Sequence, residues 1–331
     1  MFNRPHGAIL PLGAGYAGPE IASLGLEDKD GGNLSAKIVS GEAVELFLAA
    51  GAELGEGPVW DDRRQELWWV DIARGRVHRC SPTGDDRVMA EMNVAVGSIA
   101  LTEDDGTVVV AATRDLVLLR RTGDTSHLVT VGDVVDGGIL NDCRCDPAGD
   151  LWVGVTTEGE TEPIGCLRLV TPALEVRTVL EGLTIPNGID WSPDGQWMYF
   201  ADSPTLRVDA YRFENTRLGP STTFVSVESG RGMPDGLTVD SEGAVWVAYW
   251  DGWRVQRHLP DGSLDIVVEL PVAKVTSCTF GGADLRDLYI TTAAYQLSAA
   301  ETKAQPAAGG IFRVRVDVPG LPARRFPLPT S

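Results

Sequence analysis

The sequence predicts an all-β fold, a six-bladed β-propeller of four-stranded blades around a central channel. Three observations predict it: a turn-and-strand phrase occurs six times in the 331 residues, successive copies start 41–48 residues apart, and helical periodicity is nearly absent. A period of roughly 40–50 residues made of short strands and turns is typical of propeller blades with four strands each. Six copies therefore indicate six blades.

Each copy of the phrase places a turn rich in Asp, Pro or Gly before a short strand rich in Trp, Val, Tyr and Phe. The copies are WDDRRQELWWVDI from Trp60, LTEDDGTVVVAA from Leu101, CDPAGDLWVGV from Cys145, WSPDGQWMYFAD from Trp191, VDSEGAVWVAY from Val239 and FGGADLRDLYIT from Phe280. Glycine supplies positive φ and proline presets φ in tight turns, whereas β-branched and aromatic residues fit a pleated, half-buried surface. Each phrase therefore predicts a tight connection that leads into a strand.

The ends of the repeat predict how the ring closes. Residues 43–49 (AVELFLA) and 310–316 (GIFRVRV) both have strand composition, so we expect the N-terminal strand to complete the last blade and remove an open sheet edge. Residues 1–40 lie outside the repeat and predict a loosely ordered extension, which leaves residues 41–331 for the propeller. The alanine-rich residues 298–310 predict a surface loop.

Composition argues against two classes of partner. A formal charge of −19 and a pI near 4.6 argue against nucleic acid or an anionic membrane as partner, because both attract clustered Lys and Arg. The five cysteines show no C-x-x-C spacing, which predicts reduced thiols rather than disulfides or a zinc cluster. We expect no signal peptide, no membrane span and a cytoplasmic protein. The oligomeric state is left open.

Several familiar chemistries lack their sequence motifs. The four histidines are scattered without metal-ligand spacing, and no G-x-S-x-G phrase occurs, which argues against a Ser/His/Asp hydrolase. Neither a P-loop motif nor a G-x-G-x-x-G phrase opening a helix is present, which argues against nucleotide chemistry. Oxygen ligands from acidic and amide side chains remain as candidates for a functional site.

Three such side chains stand beside glycine near the predicted inner strands of different blades. They are Glu56 in LGEGPVW, Asn187 in IPNGIDW and Asp235 in MPDGLTVD. Each phrase alone is more typical of a turn than of a ligand, but closure of the ring would aim all three at the channel near one mouth. Two carboxylates with one or two amide oxygens suit a hard cation such as Ca²⁺, Mg²⁺ or Mn²⁺ better than a soft one. The sequence therefore predicts one divalent cation in the channel.

At these phrases the chain resembles the family of senescence marker protein (regucalcin), gluconolactonase and luciferin-regenerating enzyme. The resemblance runs from about residue 45 to residue 312 and includes, in the order of the family, GEGPVWDD, NDCRCDPAGDLWVG, PNGIDWSPDGQWMYFADS, PDGLTVDSEGAVWVA and TSCTFGGADLRDLYIT. It implies a six-bladed propeller with one divalent metal ion in the central tunnel, commonly Ca²⁺ or Zn²⁺. Ca²⁺ is our first choice, with Zn²⁺, Mn²⁺ and Mg²⁺ as alternatives. The family's characterised enzymes mostly hydrolyse lactones of sugar acids.

The resemblance also implies roles for individual residues. It places the metal ligands at Glu56, Asn187 and Asp235, and it places Asn141, from the phrase ILNDCRCDP, close to both metal and substrate. A metal-dependent lactonase then follows, in which the cation polarises the lactone carbonyl and lowers the pKa of a water molecule while Asp235 acts as general base. The sequence leaves open whether Asp235 is needed as base or the cation suffices. For Asp142, capping of a turn competes with a catalytic role.

One position departs from the family pattern. Sugar-lactonase relatives usually carry an arginine two residues before the asparagine of the N-D pair, where it contacts substrate oxygens, whereas this chain has Ile139. A guanidinium with five donors is thus replaced by a hydrocarbon, which predicts a less hydroxylated lactone or another ester as substrate. Glu158, in the phrase TTEGE, and Arg144 are candidates for restoring the lost contact, Glu158 from the pocket rim.

Two other functions stay open at this stage. Related propellers hydrolyse phosphoester or phosphofluoridate bonds with similar oxygen-ligated calcium, so an organophosphate hydrolase is one alternative. A noncatalytic calcium-binding protein is the other. Turnover of lactones, aryl esters or organophosphates would separate these functions.

Overall fold

Six antiparallel sheets of the propeller lie in chain order along residues 36–329, which are the residues that the computed structural model describes. The first strand of each blade is the inner one. The inner strands contact one another in sequence around the channel, and the last contacts the first. Thr276 in the last blade also donates a hydrogen bond to the carbonyl oxygen of Gly55 in the first, at 2.6 Å. The predicted six-bladed ring is therefore confirmed.

The strands of each blade run from the channel outward. Blade 1 contains β3 (Gly55–Asp61), β4 (Glu66–Asp71), β5 (Arg76–Cys80) and β6 (Asp86–Glu91), and blade 2 contains β7 (Val96–Leu101), β8 (Thr107–Ala112), β9 (Asp115–Arg120) and β10 (Thr125–Thr130). Blade 3 contains β11 (Gly138–Cys145), β12 (Leu151–Thr157), β13 (Gly165–Val170) and β14 (Val176–Leu183), and blade 4 contains β15 (Pro186–Trp191), β16 (Trp197–Asp202), β17 (Arg207–Glu214) and β18 (Arg217–Ser226). Blade 5 contains β19 (Met233–Val239), β20 (Val245–Trp250), β21 (Arg254–His258) and β22 (Leu264–Glu269), and blade 6 contains β23 (Val275–Gly281), β24 (Asp287–Thr292) and β25 (Ile311–Arg315).

Two strands from the beginning of the described chain join the last two blades. Strand β2 (Val44–Leu48) pairs antiparallel with β25 and supplies the fourth strand of blade 6, which confirms the predicted closure. Strand β1 (Lys37–Val39) pairs in parallel with β22 on the outside of blade 5. Three residues of the predicted extension thus form a strand. The domain boundary at residue 40 stays a prediction, and residues 1–35 lie outside the described residues.

The predicted surface loop at residues 298–310 contains a short helix, α1 (Ala299–Ala304). Ser298 caps it, because its hydroxyl accepts from the backbone N–H of Glu301 at 3.3 Å while the Glu301 carboxylate accepts from the Ser298 N–H at 2.8 Å. The sequence contains the S-x-x-E motif of a capping box at these residues, which predicts the start of a helix. The prediction of a surface loop did not take this motif into account. Short 3₁₀ turns lie at Gly41–Ala43, Gly132–Val134 and Ser203–Thr205. Within residues 36–329, no helix has the length and apolar character to cross a membrane.

The repeated phrase has a common hydrogen-bonding function in blades 3 and 5. One oxygen of Asp146 accepts two backbone N–H groups of its own turn, and the other accepts from the indole of Trp152 at 3.0 Å. Asp240 does the same in its turn and accepts from Trp246 at 2.9 Å. The turn aspartate therefore fixes the tryptophan of the next strand as well as the turn itself, which explains why both recur in the repeat.

Aromatic side chains fill the wedges between neighbouring blades. Trp152 of blade 3 meets Trp191 and Phe213 of blade 4, with all three rings edge to face and their centroids 5.7–5.9 Å apart. Trp246 of blade 5 meets Phe280 of blade 6 in the same way at 5.8 Å. Such contacts add roughly 0.5–1.5 kcal/mol per pair to the burial of the rings. The wedges therefore hold the blades at a fixed angle around the channel.

The closing strand generates a testable prediction. Deletion of residues 1–40 leaves β2 in place, and we expect a soluble, folded protein. Deletion of residues 1–51 removes β2 and exposes the edge of β25, so we expect aggregation or a melting temperature lower by roughly 10 °C or more. Calorimetry and size-exclusion chromatography of the two truncated proteins measure the difference. Equal solubility and equal melting temperatures would contradict closure by β2.

Candidate metal and active site

The predicted site residues lie where the inner strands leave regular pairing. In each of four inner strands the register with the second strand shifts close to the strand's beginning. The shifts fall between Glu56 and Val59, Leu140 and Cys143, Pro186 and Ile189, and Pro234 and Leu237. A bulge leaves residues unpaired and re-aims their side chains. Asn141, Asn187 and Asp235 lie among the unpaired residues, whereas Glu56 is paired with Val70 directly before its shift. Because all inner strands begin at the same mouth of the channel, the bulges bring the candidate residues to that mouth.

Glycine beside the candidate ligands allows the inner strands to approach one another closely. A side chain at Gly236 would overlap Ser277 of blade 6, and a side chain at Gly188 would overlap the backbone of Asp235 and Leu237 in blade 5. Only glycine fits at these two positions. The N-G and D-G phrases therefore reflect contact between blades, in addition to any role in a turn.

The two asparagines of the site contact each other. Asn141 donates from Nδ2 to Asn187 Oδ1 at 2.8 Å and to the carbonyl oxygen of Pro186 at 3.0 Å. Asn187 in turn donates from Nδ2 to Ser203 Oγ at 2.8 Å, and Ser98 donates to the carbonyl oxygen of Asn141 at 2.6 Å. Both amides are thereby held in one orientation. Sequence analysis missed Ser203, which lies in the following strand connection and gives no signal of its own.

Two carboxylates of the site are almost fully buried. Glu56 and Asp235 are each 6% exposed. Burial raises the pKa of the Glu56 carboxyl well above its usual range, and the nearby charges of Asp235 and Asp142 raise it further, against a hydrogen bond from the Gly57 N–H at 2.7 Å. Burial likewise raises the pKa of Asp235, with added effects from the charges of Asp142 and Glu160. The carboxylates therefore lie close enough to repel each other.

Asp142 belongs to the same group of charges. Burial raises its pKa to about 6, and the charge of Arg144 opposes that rise. The Arg144 guanidinium is turned along the channel away from the mouth, since it donates to the carbonyl oxygen of Leu237 at 3.2 Å and lies 3.5 Å from Asp190. Among residues 36–329, no lysine or arginine forms an ion pair with Glu56, Asp142 or Asp235.

These donors fit a hard divalent cation. Buried carboxylates that repel one another and form no ion pair are stabilised by an added positive charge, and Ca²⁺, Mg²⁺ and Mn²⁺ prefer oxygen ligands. In the described part of the chain, no three His, Cys, Asp or Glu side chains converge as a metal cluster. A cation held by Glu56 and Asp235 would therefore also need the amide oxygens of Asn187 or Asn141 and solvent.

The predicted substrate-binding positions are less closely tied to this group. Ile139 is half-buried, two residues before Asn141 on β11. Glu158 is exposed in the loop after β12. Its neighbour Glu160 adds, after burial and the charge of Asp142, to the rise in the pKa of Asp235. The roles of Ile139 and Glu158 stay predictions. Sequence analysis missed Glu160 at the rim, because nothing in the loop phrase TTEGE indicates which of its two glutamates lies nearer to the site.

The fold and the buried oxygen donors define a class of six-bladed propellers with acidic and amide side chains at one mouth of the channel. A family model described as the SMP-30/Gluconolactonase/LRE-like region matches residues 54–294. The chain belongs to this family, which confirms the resemblance seen in its motifs.

Individual relatives cover most of the chain. Regucalcin of Oryctolagus cuniculus is 33% identical over 289 residues, covering 84% of this chain and 96% of that protein. The 6-deoxy-6-sulfogluconolactonase of Pseudomonas putida is 34% identical over 284 residues, covering 84% and 97%. The solved structure of a calcium-binding protein, regucalcin, from Agrobacterium tumefaciens has a TM-score of 0.83 at 26% identity and covers 88% of this chain and 99% of that chain.

The raised pKa of Asp142 predicts how the metal-free protein responds to pH. The unfolded chain loses the Asp142 proton near the ordinary pKa of 3.8, whereas the folded protein holds it to about 6. Between these two pKa values the folded state binds more protons than the unfolded state, so the free energy of unfolding falls as the pH rises from the lower value to the higher one. Relative to Asp142→Asn, the wild type should lose on the order of 2–3 kcal/mol of unfolding free energy between about pH 4 and pH 7.

Urea unfolding of both proteins in chelator at the two pH values measures this loss. Asp136→Asn, which changes an exposed acid in the preceding loop, is the matched control and should track the wild type. A difference between wild type and Asp142→Asn that does not change with pH would contradict the assigned burial of Asp142.

Proposed function

We propose that the protein is a divalent-metal-dependent hydrolase of lactones, with a small-molecule lactone or ester as substrate. Family membership and the lactonases among its relatives support lactone hydrolysis in general. The observation that carries the metal dependence is the approach of two buried, unpaired carboxylates, Glu56 and Asp235, at the mouth where Asn141 and Asn187 meet.

Glu56, Asn187 and Asp235 would hold the cation, with Ca²⁺ as first choice and Zn²⁺, Mn²⁺ or Mg²⁺ as alternatives. The oxygen-only donor set supports Ca²⁺, Mg²⁺ and Mn²⁺ over Zn²⁺, which favours nitrogen and sulfur ligands. A bound cation supplies Lewis-acid polarisation of the substrate carbonyl and lowers the pKa of water. Ser203 keeps the amide of Asn187 turned so that its Oδ1 faces Asn141.

Asp235 is the residue proposed to accept the proton of the attacking water. Its carboxylate is buried at the candidate metal site near Asp142 and Glu160, where a cation would keep it ionised and so able to accept a proton from water at the same mouth. Asn141 uses its Nδ2 for Asn187 and Pro186, which leaves Oδ1 to accept a hydrogen bond from substrate or to add an oxygen to the metal site. Asn141 would thus orient the substrate next to Asp235.

A noncatalytic role in calcium binding is the second candidate. It is favoured by the likeness to the regucalcin structure, which is named as a calcium-binding protein. The same donors would serve either role, so only turnover distinguishes the two. An organophosphate hydrolase, which would cleave phosphoester or phosphofluoridate bonds, would use the same oxygen-ligated cation and would differ from a lactonase only in its substrate.

The proposal is tested by turnover. Lactones, aryl esters and organophosphates are assayed with Ca²⁺, Mn²⁺, Zn²⁺ and Mg²⁺, and again with chelator. We expect metal-dependent lactone hydrolysis that falls by about 100-fold or more in Asp235→Asn and Glu56→Gln, because both remove a charged oxygen at the reacting centre. Glu42→Gln, an exposed acid before β2, is the control and should keep wild-type turnover. Lactone hydrolysis unaffected by chelator, or wild-type rates in Asp235→Asn, would refute the mechanism.

Ile139 generates a prediction about specificity. The hydroxyl-rich end of a sugar lactone would meet an alkyl side chain there, and an unpaired buried hydroxyl costs about 1–3 kcal/mol, or roughly tenfold to a hundredfold in kcat/KM. Alkyl- or aryl-substituted γ- and δ-lactones have no such hydroxyl at this end, so they do not lose binding free energy there. We therefore expect the wild type to prefer them over gluconolactone, and Ile139→Arg to shift the ratio towards the sugar lactone.

The matched control is Ile139→Leu, which keeps an alkyl side chain and should keep the wild-type preference. Values of kcat/KM for one alkyl lactone and gluconolactone in the three proteins decide the matter. A wild-type preference for gluconolactone that Ile139→Arg leaves unchanged would rule out Ile139 as the determinant.

A further inference from the structure

The C-terminal tail, defined here as residues 317–329, crosses the mouth of the channel opposite the candidate site. It contacts residues at or just beyond the far end of the inner strand in every blade. These residues are Asp61, Thr102, Gly149, Asp190, Asp240 and Phe280, for blades 1 to 6 in order. Because the inner strands begin at the candidate site and end at these residues, the tail closes the far mouth.

The end of the tail is firmly anchored. Phe326 is fully buried in the core between blades 2 and 3, and its backbone N–H donates to Leu101 at 2.8 Å. Arg325 is 9% exposed and donates to Asp61 at 2.7 Å and to Asp62 at 2.8 Å. Burial of an aromatic side chain contributes roughly 1.5–3 kcal/mol, and buried charged hydrogen bonds hold the backbone around it. The tail is therefore part of the folded propeller.

Arg324 connects the tail to the channel wall through one shared carboxylate. Its Nη1 lies 3.5 Å from Asp190 Oδ1, and Arg144 Nη1 lies 3.5 Å from Asp190 Oδ2. Asp190 is 6% exposed and sits between the two guanidinium groups. Arg144 is two residues from Asp142 in the sequence, and its positive charge opposes the rise in the pKa of the Asp142 carboxyl. A chain of charges thus runs from the tail to the group of carboxylates at the candidate site.

A cavity of about 40 Å³ lies inside the channel between the site and the tail. Its lining includes Ser98 and Asp142 at the site end and Ala323 and Arg324 at the tail end. This volume has room for roughly three water molecules. Cys143 also lines the cavity and is half-buried. Burial raises the pKa of its thiol to about 12, so the thiol reacts slowly and its alkylation rate increases when the channel opens to solvent.

We propose that the C-terminal tail is the floor of the active-site channel, and that Arg324 is a positioning residue that holds Asp190 and Arg144 beneath Asp142. The channel then has a single entrance at the candidate metal site. This inference rests on the proposed metal site for its second part, whereas closure of the floor is independent of any metal.

The experiment compares Arg324→Ala, Arg324→Lys and a matched control, Arg325→Ala, which removes the neighbouring tail anchor but leaves Arg324 in place. The first measurement is the rate at which iodoacetamide alkylates Cys143, located by mass spectrometry, with and without Ca²⁺. In the wild type, Ca²⁺ at the single entrance should slow alkylation severalfold. In Arg325→Ala, which loosens the tail, and in Arg324→Ala, whose side chain lines the tail end of the cavity, alkylation should be faster without Ca²⁺ and should be slowed less by it.

The second measurement is the affinity for Ca²⁺ by calorimetry, together with the melting temperature. We expect Arg324→Ala to weaken Ca²⁺ binding by roughly threefold to tenfold, since loss of the tail guanidinium lets Asp190 and Arg144 shift beneath Asp142, and Arg324→Lys to restore part of it. Arg325→Ala should lower the melting temperature and weaken Ca²⁺ binding less than Arg324→Ala does, because it keeps the Arg324 guanidinium that pairs with Asp190.

The outcomes separate this inference from the proposed function. A wild type that binds no Ca²⁺ would refute the metal site, and the alkylation rates without Ca²⁺ would still test the floor. Equal Cys143 alkylation in wild type, Arg324→Ala and Arg325→Ala would overturn the floor. Wild-type Ca²⁺ affinity in Arg324→Ala, or an equal loss of affinity in Arg325→Ala, would overturn the positioning role of Arg324.

Discussion

Six inner strands converge on one axis, and near the mouth of the channel they approach each other so closely that a side chain at Gly188 or Gly236 would overlap the next blade. The inner strands shift register at the same level, and a bulge re-aims the side chains that it leaves unpaired. The residues beside the glycines are thereby turned inward. The position of the candidate ligands, their burial and their mutual repulsion all depend on this close approach.

That geometry has an electrostatic consequence. Glu56 and Asp235 are buried near Asp142, and Arg144, whose charge opposes the rise in the Asp142 pKa, forms its ion pair with Asp190 further along the channel. Placing several carboxylates together in a buried site is unfavourable without a compensating positive charge. A hard cation at the mouth supplies that charge, and Arg144 supplies part of it from below. Function and stability are thus linked through the same group of charges.

The repeat predicted the six blades and the closing strand because a blade is a local unit whose turns and strand residues recur at a fixed spacing. The candidate ligands were found because each stands beside a glycine in such a unit. Sequence analysis missed Ser203, Glu160 and Arg324. Each acts on a residue of another strand or blade, and none has a periodic or compositional signal. Contacts that form only when the ring closes leave no pattern in the linear sequence.

Direct titration of the metal-free protein with Ca²⁺, in two buffers of different ionisation enthalpy, tests the central claim that the converging inner strands build a cation site. Carboxyls whose pKa is raised by burial and mutual repulsion must lose their protons on binding. The account predicts one Ca²⁺ per chain with release of protons that increases as the pH is lowered towards 6, and loss of both in Glu56→Gln. Binding without proton release, or unchanged binding in Glu56→Gln, would contradict it.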